Sequence, residues 1–173
     1  ETVRKHMEKV EARCPKPVVK MIGLTGAPCA GKSEAIIKVR DILDRCYRGR
    51  FLTFIVTEAA TQIFQIANGL QDEWLLTVDK KCQLQHMIFR TAINLENNAQ
   101  ELARMVQKDV LILVDRTAMD GQFFTDPKVW QRILDETHWT MSGLQRRYDA
   151  ILHLETCAEK GVYTFGVKAN NRM

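Results

Sequence analysis

Eight consecutive residues, Gly26-Ala27-Pro28-Cys29-Ala30-Gly31-Lys32-Ser33, fit the spacing GxxxxGK[ST]. Chemistry on a polyphosphate needs these residue types in this order. The glycines let backbone N–H groups turn inward around phosphate oxygens, and the positive end of the following helix adds to the attraction. Lys32 would reach the β- and γ-phosphates of ATP or GTP, and Ser33 would ligate the accompanying Mg²⁺. A turn that only joined a strand to a helix would need neither a lysine nor a hydroxyl at those two positions.

Three further residues fall where they could complete such a site. Asp115 ends the apolar run Val110 to Val114, and a carboxylate at a strand's C-terminal end can meet the magnesium shell, because ligands of open α/β sheets bind at that edge. Arg116 follows directly and could stabilise charge on a transferred phosphoryl group, or equally form a buried ion pair. Glu58 lies just past a second strand and could accept a proton from a substrate hydroxyl, although an acidic residue also suits the first turn of a helix for electrostatic reasons alone. His6, His86, His138 and His153 have no ligand spacing. Trp74, Trp130 and Trp139 form no base-stacking pattern, and packing or surface roles are expected for all seven.

The elements that must hold these groups read as alternating strands and helices. Pro17 to Thr25 is a short strand leading into Gly26, followed by a helical pattern through Ala35, Ile36, Val39, Ile42 and Leu43. A second strand covers Phe51 to Val56, after which Thr57 is placed to cap a helix ending at Asn68 and Gly69. A long helix over Lys80 to Val106 feeds the strand Asp109 to Asp115, whose continuous apolar run predicts burial on both faces. Short helices are expected at Val129 to Leu134 and Ser142 to Arg147, and a fourth strand at Asp149 to Glu155. Parallel neighbours need crossovers that are usually helical, so the alternation predicts a three-layer α/β/α fold around a parallel sheet, the build of a P-loop NTPase.

Composition excludes other classes. With 173 residues, 46% hydrophobic and 27% charged, the chain suits one domain with a sizeable core, and no apolar run approaches the roughly 20 residues that span a bilayer. Glu1 to Cys14 fits an amphipathic helix rather than a signal peptide, which makes residues 1–17 an N-terminal extension to a nucleotide-binding domain over 18–173. The five scattered cysteines match neither a disulfide framework nor a zinc site, and free thiols in a cytoplasmic setting are expected. A net charge of +4 with interleaved signs favours neither nucleic acid nor membrane.

The segments GLTGAPCAGKS, VTEAATQIF, VLILVDRTAMDG and RRYDAILHLET, in this order, resemble a family of AAA-type ATPase-like domains that includes the insect TRPL translocation defect protein. The resemblance covers roughly residues 21–171. That family is similar in build to nicotinamide riboside and deoxynucleoside kinases, which carry an acidic residue after strand two and an Asp-Arg pair after strand three; Glu58, Asp115 and Arg116 occupy those positions. The resemblance implies nucleotide binding, with GTP and phosphoinositides among the ligand classes, and often a further domain of triphosphate-tunnel type downstream. It also implies a fifth core strand, which the chain is expected to lack through C-terminal truncation, and a phosphate-covering lid at Tyr163 to Arg172. No NKxD-like guanine motif occurs, so the base stays open between adenine and guanine.

Three functions follow as expectations. The first is a cytoplasmic switch or slow NTPase that binds ATP or GTP with Mg²⁺. The second is a small-molecule kinase using Lys32, Glu58 and Arg116. The third is a lipid or protein adaptor working peripherally through the Glu1 to Cys14 helix, whose mixed charges lack the basic face that anionic membranes select.

Overall fold

The computed structural model describes residues 17–28, 30–47 and 49–155. The expected Glu1 to Cys14 helix, Cys29 of the glycine loop and the Tyr163 to Arg172 lid lie outside the described residues. In chain order the elements are β1 (Val19–Gly26), α1 (Lys32–Cys46), β2 (Phe51–Val56), α2 (Ala59–Ile66), α3 (Val78–Arg104), β3 (Asp109–Asp115), α4 (Pro127–Thr137), α5 (Met141–Gln145) and β4 (Ala150–Leu154), with short 3₁₀ helices at Asp72–Leu75 and Ala118–Phe123.

All strand pairs are parallel, in the order β2-β3-β1-β4. The chain leaves β1 for β2 on one side and leaves β3 for β4 on the other. The order therefore reverses between β1 and β3, and in open α/β sheets a crevice forms at the carboxyl ends of such a pair. The register sets Leu24 beside Asp115 and Gly26 beside Leu154, so the glycine loop starts at that crevice. The central position of β3 explains its apolar run: Val110, Ile112, Leu113 and Val114 are all buried.

One face of the sheet carries the larger core, in which Met21, Val56, Ile112 and Val114 pack with Phe89, Ala92 and Ile93 of α3 and with Trp130 and Ile133 of α4. The other face packs Leu24 and Leu113 on Ile36 of α1. The stripe expected along α1 is buried only in part, since Val39 and Ile42 stay exposed, because the small cluster around Leu24, Ile36 and Leu113 engages only one turn of the helix. Thr57 does not cap α2. Glu58 takes the N-cap position, while the Thr57 hydroxyl accepts from the Gln62 amide at 2.7 Å. Asn68 and Gly69 do end that helix, both at positive φ (56° and 122°). The long helix begins at Val78, two residues before its expected start, because the Thr77 hydroxyl accepts from the Lys80 amide.

Candidate functional site

The glycine loop is shaped by two backbone requirements. Gly26 has φ +137°, and a Cβ there would stand 2.2 Å from the Leu154 carbonyl oxygen; only glycine lets β1 turn upward so close to β4. Gly31 sits in the left-handed region, φ 78°, as the N-cap of α1, and its carbonyl accepts the first helical bond from the Ala35 amide at 2.8 Å. Ala27, Pro28 and Ala30 form the bend between them, tied by the Ala30 amide to the Ala27 carbonyl.

Lys32 and Ser33 open α1, and both point back at the sheet edge. The Lys32 ammonium is buried and donates to the carbonyls of Gly26 (3.0 Å) and Ala27 (2.8 Å). Burial, and then the nearby Arg116 charge, hold its pKa below the ordinary lysine value, against the opposing pull of Asp115, Glu58 and Asp120. The Ser33 hydroxyl donates to Asp115 Oδ2 at 2.5 Å. A hydroxyl and a carboxylate together at the tip of the central strand are the hard oxygen donors that Mg²⁺ selects.

Arg116 continues from β3 with its amide bonded to the Leu24 carbonyl at 3.0 Å, then turns into the left-handed region at φ 68°, which costs a non-glycine residue about 1–2 kcal/mol. Several contacts hold its side chain there. Nε meets Glu58 Oε1 at 2.5 Å, Nη1 donates to Gly26 O at 3.1 Å, and the guanidinium lies 5.0 Å from the centre of the Phe124 ring. Glu58 is only half-buried, and its second oxygen accepts from Thr61 at 2.8 Å. Fold and loop thus bring Lys32, Ser33, Glu58, Asp115 and Arg116 to one edge of the sheet. Among the described residues His153 is exposed on β4 and His86 pairs with Glu136, both apart from it. Cys46 and Cys82 are free thiols, and no cluster of His, Cys, Asp or Glu suited to a metal occurs among the described residues.

Two further carboxylates matter here, the first of them without any role assigned from the sequence. Glu96 is fully buried in α3 and accepts from the Tyr148 hydroxyl (2.5 Å), Arg147 Nε (2.8 Å) and the Ala118 amide (3.2 Å). It holds the start of the Ala118–Phe123 turn two residues after Arg116. Burial foremost pushes its pKa up, against the bonds from Tyr148 and Arg147, and the same burial pushes the Tyr148 phenol up as well. A signal was available in the sequence: Glu96 interrupts the helical stripe Phe89, Ala92, Ile93, Ala99, Ala103, where a carboxylate needs a partner. The second is Asp120, also buried, whose Oδ1 accepts from Thr117 at 2.7 Å and whose Oδ2 stands 3.6 Å from Arg116 Nη1.

Comparison with protein families matches residues 21–170 to a family described as an AAA domain. The chain belongs to that family. The match runs from β1 through β4 and takes in the glycine loop, so the α/β fold with its parallel sheet is that of a P-loop NTPase-like domain, and nucleotide binding is its general activity. A search of curated proteins gives no match. Among the described residues no helix is long and apolar enough to cross a membrane.

Proposed function

We propose that residues 18–173 form a nucleotide-binding domain that takes a purine nucleoside triphosphate, ATP or GTP, with Mg²⁺, and works as a nucleotide-dependent switch or slow NTPase. The observation that carries this reading is the meeting of Ser33 and Asp115 at 2.5 Å directly beside the Lys32 ammonium at the mouth of the glycine loop. These oxygens would hold the metal, Lys32 would neutralise the terminal phosphates, and the metal would supply charge neutralisation of the β- and γ-oxygens. Slow turnover is supported by the pairing of two of the three catalytic candidates with each other, since Arg116 occupies one Glu58 oxygen and Thr61 the other.

Equilibrium binding of ATP and of GTP, each with and without Mg²⁺, to the wild-type chain and to Lys32→Ala tests it. A charge-assisted bond to phosphate contributes about 1.5–3 kcal/mol, so the substitution is expected to weaken binding roughly ten- to a hundredfold. Unchanged affinity would end the proposal.

One observation favours a second reading, a small-molecule kinase. Glu58 and Arg116 form a carboxylate–guanidinium pair on the phosphate side of the sheet, the two charges that proton removal from an acceptor hydroxyl and stabilisation of the transferred group require. Acceptor-dependent turnover that is lost in Glu58→Gln while nucleotide affinity persists would establish this reading over the switch. A metabolite screen without any such turnover would dismiss it.

A further inference from the structure

The Arg116 guanidinium has two carboxylates within reach and is bonded to only one. Its Nε meets Glu58 at 2.5 Å, whereas Nη1, hydrogen-bonded to Gly26 O, stops 3.6 Å from Asp120 Oδ2. That oxygen is buried and accepts no hydrogen bond among the described residues. Burial pushes the Asp120 pKa up, against the opposing pull of the Thr117 and Thr25 hydroxyls and of the Arg116 charge, and the Thr25 hydroxyl is itself buried without a hydrogen bond of proper geometry. A buried carboxylate oxygen is costly to leave unpaired, and in native folds nearly every such atom has a hydrogen-bond partner. An asparagine would serve Thr117 and fill the same volume; a charge is needed only for a cation.

We infer that Asp120 is a second seat for Arg116, a positioning residue that takes the guanidinium when substrate engages Glu58. The inference rests on the nucleotide-binding reading above and deepens it. In the first seat Arg116 closes Glu58. In the second it releases that carboxylate while keeping its own charge balanced and its Nη1 on the first carbonyl of the glycine loop, beside the phosphates. A shift of less than an ångström separates the present 3.6 Å contact from a charge-assisted hydrogen bond of about 2.7–2.9 Å. The Phe124 ring, against which the guanidinium lies, gives it an apolar surface along which to move.

The test compares the affinity of the di- and triphosphate of the better-bound purine, both with Mg²⁺, in the wild type, Asp120→Asn, Arg116→Gln and the double variant. Asp120→Asn should lower the preference for triphosphate by about fivefold or more when Arg116 is present, and change it by less than about twofold in the Arg116→Gln background. An equal change in both backgrounds, as simple removal of a negative charge would produce, overturns the inference, and so does no change with Arg116 present. Nitrogen NMR of arginine side chains in Glu58→Ala, without nucleotide and with Asp120 intact, gives a second readout should Asp120→Asn not fold. A coupling across a hydrogen bond from an Arg116 nitrogen to the Asp120 carboxylate carbon shows the guanidinium held in its second seat, and its absence overturns the inference. Failure of nucleotide binding would appear separately, as a Lys32→Ala variant indistinguishable from wild type, and the NMR result would still decide on Asp120.

Discussion

Replacing Glu96 with alanine removes the acceptor shared by α3, the turn after β3 and the approach to β4. Tyr148 and Arg147 Nε lose their acceptor, while the Ala118 amide keeps the Tyr148 hydroxyl at 2.9 Å, and Arg147 keeps Asn97 at 2.8 Å and the face of Trp139. Breaking a buried ion pair from one side costs about 3–5 kcal/mol, and the retained contacts place this case near about 3. For a domain of this size each kcal/mol lowers Tm by roughly 2–4 °C, so a fall of about 6–12 °C is expected. Urea unfolding followed by circular dichroism gives the free energy directly, with the slope confirming that the same surface is exposed in both proteins. Glu96→Gln, which keeps the volume and one acceptor, should fall between the two. The pH dependence has a definite sign. Because burial raises the folded-state pKa, folding takes up a proton, and the stability from this group is fully present below the unfolded value of about 4.3 and is lost as pH rises through the folded value. The margin of wild type over Glu96→Gln should therefore shrink as pH rises from about 4. A loss below about 1 kcal/mol in Glu96→Ala would refute the reasoning, since a buried, triply bonded carboxylate cannot be so cheaply removed.

Two further expectations follow from the geometry. Gly26→Ala puts a methyl group 2.2 Å from the Leu154 carbonyl oxygen at a φ of +137°, so β1 and β4 must part; a loss of about 2 kcal/mol or more in urea unfolding, accompanied by weaker nucleotide binding, is expected, and wild-type behaviour in both would contradict the described loop. Asp149 has its pKa lowered, first by the Lys20 ammonium at 2.7 Å and also by the Met21 amide at 2.8 Å, so its contribution is present above an unfolded pKa of about 3.9 and is lost as pH falls through the folded value. Asp149→Asn should therefore destabilise the domain at neutral pH and match wild type in strong acid, which unfolding curves at the two pH values would check.

What the sequence by itself determined is local. The glycine loop, the helix end at Asn68 and Gly69 and the apolar run of β3 depend on neighbours a few residues away, so β2 and β3 are found at their expected bounds and the other expected elements among the described residues within a few residues of theirs. The double burial of β3 also announced a central strand. Tertiary structure decided the rest. The order β2-β3-β1-β4 places Asp115 against Leu24 and hence within reach of Ser33, 82 positions earlier. The same order seats Arg116 between Glu58 and Asp120, and carries the Tyr148 hydroxyl to Glu96, 52 positions away. A carboxylate's role is set by the cation and the dielectric around it, and both are supplied by segments remote in the chain. For that reason Glu58, Asp115 and Arg116 were legible as candidates at a strand's end, whereas Glu96 and Asp120 acquire their meaning only from burial and from partners that packing delivers.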